Sequence, residues 1–96
     1  MGDVIAMPPD REWKDHRERL LITPRRLGQI GKEVRETKAW SGYSRGYKMR
    51  ITLEDQISLA GERMTWEIRL IDKTWVRGKA GTVFDCIRSM EAAAAK

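Results

Sequence analysis

The sequence predicts an α+β fold: a three-stranded antiparallel sheet with two to three helices packed on one face. Three observations carry that reading. Residues 47–53 and 64–70 alternate apolar and polar side chains with a period of two. Thr23-Pro24 opens a stretch in which Leu27, Ile30 and Val34 recur at helical spacing. Thr82 opens another, with Val83, Cys86, Ile87, Met90 and Ala94 on one face. At 96 residues, 41% of them apolar, the chain suffices for one compact domain. It is too short for a (β/α)₈ barrel or a complete dinucleotide-binding fold.

Taken in order, residues 1–9 (MGDVIAMPP) read as a loose leader ending in Pro8-Pro9, and residues 10–96 as the single domain. The leader is too short and too acidic for a secretory signal. Asp10 suits a helix cap, and Trp13, Arg17, Leu20 and Leu21 share one face of a helix over 10–21. Residues 19–22 also fit a short strand. Thr23 is a good N-cap and Pro24 suits the first helical position, where no N–H is needed. The helix over 24–38 carries Arg25, Arg26, Lys32, Glu33, Arg35 and Glu36 away from its apolar stripe. Gly28 and Gly31 weaken it by about 1 kcal/mol each relative to Ala. They imply either close packing against another backbone or a marginal helix.

Residues 39–46 (AWSGYSRG) are rich in Gly and Ser and read as a loop. Tyr47, Met49, Ile51 and Leu53 then face the core. Met64, Trp66, Ile68 and Leu70 repeat the pattern, which puts Lys48, Arg50, Thr52, Thr65, Glu67 and Arg69 on the outer sheet face. Asp72-Lys73 fits a two-residue turn without the glycine that tight hairpins favour. Residues 74–79 make the third strand. Thr82 with Asp85 three residues on resembles a capping box.

The formal charge is +5, and its distribution says more than its size. Residues 1–53 hold 12 basic and 7 acidic side chains, whereas residues 54–96 hold 7 of each. Such a local positive field favours a polyanion or an acidic protein surface. The lone cysteine excludes an internal disulfide framework and fits a reducing, cytoplasmic compartment. With one Cys and one His, no zinc site of the usual kind assembles within one chain. No apolar run reaches the ~20 residues of a membrane span. No cofactor is implied.

Catalytic constellations are missing from the pattern. His16 sits in a polar stretch and Cys86 on an apolar helix face. No phosphate-loop, G-x-G-x-x-G or G-x-S-x-G pattern occurs. Gly78-Lys79-Ala80-Gly81 offers only a weak anion loop beside its plainer role as a strand-to-helix turn. The expectation is a protein that is not an enzyme.

The region 25–50 is the strongest candidate for binding. Arg25, Arg26, Lys32, Arg35, Lys38, Arg45, Lys48 and Arg50 supply cations for phosphates, while Trp40, Tyr43 and Tyr47 supply rings for stacking on bases; the plainer reading puts Trp40 and Tyr47 in the core and leaves the cations as an ordinary solvated face. Nucleic acid, DNA or RNA, is the expected partner. The alternative is a stoichiometric inhibitor or adaptor, of the kind by which phages and other mobile elements disable restriction or CRISPR machinery, docked on a protein or nucleoprotein target. Trp75, beside Arg77, is a candidate anchor for a protein partner. A homodimer contact around Trp13 or Trp75 is a further expectation.

Two outlines resemble known families. The helix pair over 10–21 and 24–38, followed by a hairpin, resembles a winged-helix arrangement, which implies a basic helix entering a nucleic-acid groove. The order helix, three strands, helix resembles the topology of double-stranded-RNA-binding domains over about 70 residues. That family grips phosphates with a Lys-rich cluster at the start of its last helix. Here those positions read Thr82-Val83-Phe84-Asp85, so the resemblance is one of topology and does not extend to that grip.

Overall fold

Thr23 opens the first helix as its side chain permits: Oγ1 accepts the Arg26 N–H at 3.1 Å. The computed structural model describes residues 20–56 and 58–95. Within them run α1 (Pro24–Thr37), β1 (Ala39–Ser44), β2 (Tyr47–Leu53), β3 (Met64–Arg69), β4 (Trp75–Ala80) and α2 (Val83–Ala94). The strands form one antiparallel sheet in the order β1-β2-β3-β4, and both helices pack on the same face of it. The α+β class and the two-layer arrangement stand; among the described residues the sheet has four strands, not three.

The additional strand is β1, where a loop was expected. Its inward positions are Trp40, Gly42 and Ser44, a sequence in which only one residue looks apolar. Gly42 is small because the Trp40 ring lies over it: an added Cβ would stand 2.6 Å from Trp40 Cζ2. Ser44 is buried, and its hydroxyl donates to the Leu20 carbonyl. Ser44 pairs with Tyr47 across Arg45-Gly46, whose φ angles of 53° and 86° are those of a two-residue type I′ turn. Gly46 adopts that conformation freely, whereas Arg45 does so at a cost of about 1 kcal/mol.

The second hairpin has a three-residue loop in place of the expected two. Leu70 and Thr74 close it, with the Leu70 N–H donating to the Thr74 carbonyl at 2.8 Å. Lys73 takes the left-handed position at φ 73°, and Asp72 Oδ1 accepts the Thr74 N–H at 2.9 Å. That hydrogen bond holds the Asp72 carboxyl below the usual carboxylate range.

The core lies between the inner sheet face and the helices. Met49, Ile51 and Ile68 are wholly buried from the sheet, as are Val34 from α1 and Cys86 and Met90 from α2. Gly78 repeats the Gly42 device: a Cβ there would stand 2.5 Å from Trp66 Cζ2. Close packing against another backbone, one of the two readings of Gly28 and Gly31, does not occur in α1. A Cβ on Gly28 would meet nothing within 4 Å, and one on Gly31 only the Arg35 guanidinium at 3.4 Å. Thr82 caps α2, accepting the Asp85 N–H at 3.0 Å.

Of the helix expected over 10–21, only Leu20 and Leu21 are described, and neither is helical. Leu21 has φ 51°, and Leu20 is fully buried in the core. The rest of that segment lies outside the described residues, as do the leader over 1–9, Trp13 and His16. A winged-helix reading therefore has no helix pair to rest on among the described residues. The fourth strand likewise separates this topology from the three strands of double-stranded-RNA-binding domains.

Candidate functional site

Strand register builds the outer sheet face. With inward positions taken by the core, Tyr43, Lys48, Arg69 and Trp75 fall in one row across the four strands. The next row reads Ser41, Arg50, Glu67 and Arg77, and the third Ala39, Thr52, Thr65 and Lys79. Residues as distant in sequence as Tyr43 and Trp75 thus share one surface. These three rows carry five cations and a single carboxylate, Glu67.

Glu67 sits at the centre. Its Oε1 is 3.7 Å from Arg50 Nη1 and its Oε2 4.0 Å from Arg77 Nε. One half-buried carboxylate thus spaces two guanidiniums without neutralising both. The rings stand at the two edges of the sheet. Tyr43 on β1 is 57% exposed and has the Lys48 ammonium 5.7 Å from its ring centroid. Trp75 on β4 is 42% exposed, with the Arg50 guanidinium 4.9 Å from its ring. Both distances lie within the ~6 Å reach of a cation–π contact.

The face is also polarised along the strands. Both hairpin turns lie at the Tyr43–Trp75 end and add Arg45 and Lys73, with Asp72 between the latter and Ile71. Carboxylates gather at the opposite end: Glu54 accepts the Thr65 hydroxyl at 2.9 Å, and Asp55 lies 3.6 Å from Lys38 Nζ. No described element covers this face.

The region 25–50 does not form one surface, which corrects the expectation. Trp40 and Tyr47 are 9% and 7% exposed and point into the core, so neither ring reaches a ligand. Arg25, Lys32 and Arg35 are exposed on α1, on the other side of the sheet. Arg26 is engaged locally: its Nη2 donates to the Tyr43 carbonyl at 2.7 Å, and its guanidinium lies 6.0 Å from the Trp40 ring. Lys38 caps α1 in the left-handed conformation and faces Asp55. From the expected set, Tyr43, Lys48 and Arg50 are brought together on the outer face, with Arg45 at its rim. Trp75 and Arg77, expected as a separate anchor, join the same surface. Trp75 is flanked by Arg50, and Arg77 reaches Glu67.

Lys79 ends the expected third strand but is absent from the expected binding set, because Gly78-Lys79-Ala80-Gly81 reads as the turn into α2. Gly78, Lys79 and Ala80 are in β4; Gly78 faces inward beneath Trp66 and Lys79 outward. Alternation from Val76 across Gly78 to Ala80 was the available signal. An open groove of about 470 Å³ runs between the end of β4 and α2. Its walls mix signs, with Glu62 and Asp85 against Lys79 and Arg88. Cys86 is fully buried, and burial with the neighbouring Asp85 carboxylate pushes its thiol up to about 12. It therefore stays protonated at neutral pH and lacks the thiolate a nucleophile needs. Among the described residues no helix is long and apolar enough to cross a membrane.

The chain matches no protein-family model, no curated protein and no solved structure.

Proposed function

We propose that this protein binds nucleic acid through the outer face of its sheet. One observation carries the reading: five cations and a single carboxylate on a face bounded by two exposed rings. Cations on a rigid sheet are positioned for phosphates, and phosphate contacts supply affinity regardless of sequence. Exposed rings add stacking, which every base accepts. Core packing behind β2 and β3 fixes the backbone that presents these side chains, so little ordering is needed on binding.

The helical layer is the weaker competitor. Exposed Arg25, Lys32 and Arg35 on α1 are interspersed with Glu33 and Glu36, and no exposed ring accompanies them on that helix.

Salt dependence tests the assignment. The logarithm of affinity falls linearly with the logarithm of salt, by about 0.7 per phosphate neutralised on a single strand. Replacing Arg50, Arg69 and Arg77 together by Gln is expected to reduce that slope by about 2. Replacing Arg25, Lys32 and Arg35 by Gln is expected to leave it nearly unchanged. A slope lost with the helix triple and retained with the sheet triple would overturn the assignment, as would failure of any DNA or RNA to bind at low salt.

A further inference from the structure

We infer that the ligand of this face is a single strand laid across the β-strands, with a minimal site of three nucleotides between Tyr43 and Trp75. The inference rests on the nucleic-acid reading above and specifies the form of that ligand.

The hairpin-end row has a definite order: Tyr43, Lys48, Arg69, Trp75, or ring, cation, cation, ring. Adjacent strands in a sheet stand about 4.8 Å apart, so the row spans ~14 Å from β1 to β4. An extended strand with its bases unstacked advances ~7 Å per nucleotide, twice the ~3.4 Å rise of a stacked strand. Two such steps fill the row. The first and third bases then meet Tyr43 and Trp75, and the two intervening phosphates meet Lys48 and Arg69.

The local contacts fit this placement. At the β1 edge the Lys48 ammonium already lies against the Tyr43 ring. At the β4 edge the Arg50 guanidinium and Trp75 ring form a stack that a base extends, since bases stack on guanidinium planes as well as on rings. The second row, Arg50 and Arg77 held by Glu67, backs the first along the strand direction. It stands ~7 Å away, two residues along a strand. A duplex offers no unpaired base to either ring, because its bases are stacked and paired. Its phosphates reach the cations, but the rings gain nothing.

A length series decides the matter. Unlabelled oligothymidylates of one to ten nucleotides compete for the protein against a labelled ten-nucleotide strand at fixed low salt. Affinity is expected to rise about tenfold from two nucleotides to three, when the second ring becomes reachable, and by less than about threefold from four to eight. Tyr43→Leu and Trp75→Leu, both at exposed positions, are each expected to abolish the step between two and three. A blunt-ended duplex with equal phosphate count is expected to bind at least about tenfold more weakly than the single strand. A smooth climb through ten nucleotides without a break would overturn this placement and leave the nucleic-acid reading standing. So would equal binding of the duplex, or a step that survives both substitutions. Failure of every oligonucleotide to bind would remove both.

Discussion

On the inner face of the sheet, the Trp40 and Trp66 rings lie over Gly42 and Gly78, where an added Cβ would stand 2.6 and 2.5 Å from the nearest ring atom. On the outer face, Tyr43 and Trp75 instead have Lys48 and Arg50 at 5.7 and 4.9 Å from their ring centroids. The same residue class does opposite work on two surfaces one backbone apart. Inside, a ring fills volume that glycine vacates, so its value is in packing. Outside, strand parity leaves a ring partly in water with a cation against it, so its value is in what it can meet. What separates the two roles is the face to which strand parity assigns each ring.

Removing a ring from each face breaks the comparison most sharply. Trp66→Ala is expected to destabilise the fold by about 3–5 kcal/mol in urea unfolding, the usual cost of emptying a large core site. Trp75→Ala, at a 42% exposed position, is expected to cost less than about 1 kcal/mol. Equal losses would mean that the faces are not distinct.

Filling the vacated volume is the next largest effect. Gly78→Ala is expected to cost about 1–3 kcal/mol because the Trp66 ring must shift. In a Trp66→Leu background most of that cost should vanish, a coupling that a double-mutant cycle measures directly. By contrast Gly28→Ala, in a helix where the new Cβ meets nothing within 4 Å, is expected to raise stability by about 1 kcal/mol. The smallest stability change belongs to Glu67→Gln. Its two ion pairs lie on the outer face at 3.7 and 4.0 Å, so unfolding should move by no more than about 1 kcal/mol. Affinity for oligothymidylate should nevertheless rise, because Arg50 and Arg77 lose the Glu67 carboxylate that competes for them. Weakened binding in Glu67→Gln would show that the carboxylate orders the two guanidiniums for the ligand.

The elements with strong local signals were legible in the sequence. Thr23-Pro24 marks α1, Thr82 marks α2, and unbroken alternation marks β2 and β3. β1 was not legible because glycine and serine take its inward positions, and a strand that makes room for its own tryptophan looks like a loop. Read as part of a loop, Trp40 is open to a stacking role as well as a core one, whereas side-chain parity in β2 already places Tyr47 inward. Half of the candidate surface was also visible: Lys48, Arg50 and Arg69 follow from alternation alone. The outward parity of Trp75, Arg77 and Lys79 is local to β4 and that of Tyr43 to β1, but their meeting on one surface depends on the register across four strands, which no local pattern contains.

The central claim is that the outer sheet face, and not the cationic helix, meets nucleic acid. Backbone amide shifts of ¹⁵N-labelled protein titrated with a short oligothymidylate test it most directly. The account predicts that Tyr43, Lys48, Arg50, Arg69, Trp75, Arg77 and Lys79 move together while Arg25, Lys32 and Arg35 hold still. Movement concentrated on the helix, with the sheet positions silent, would contradict it.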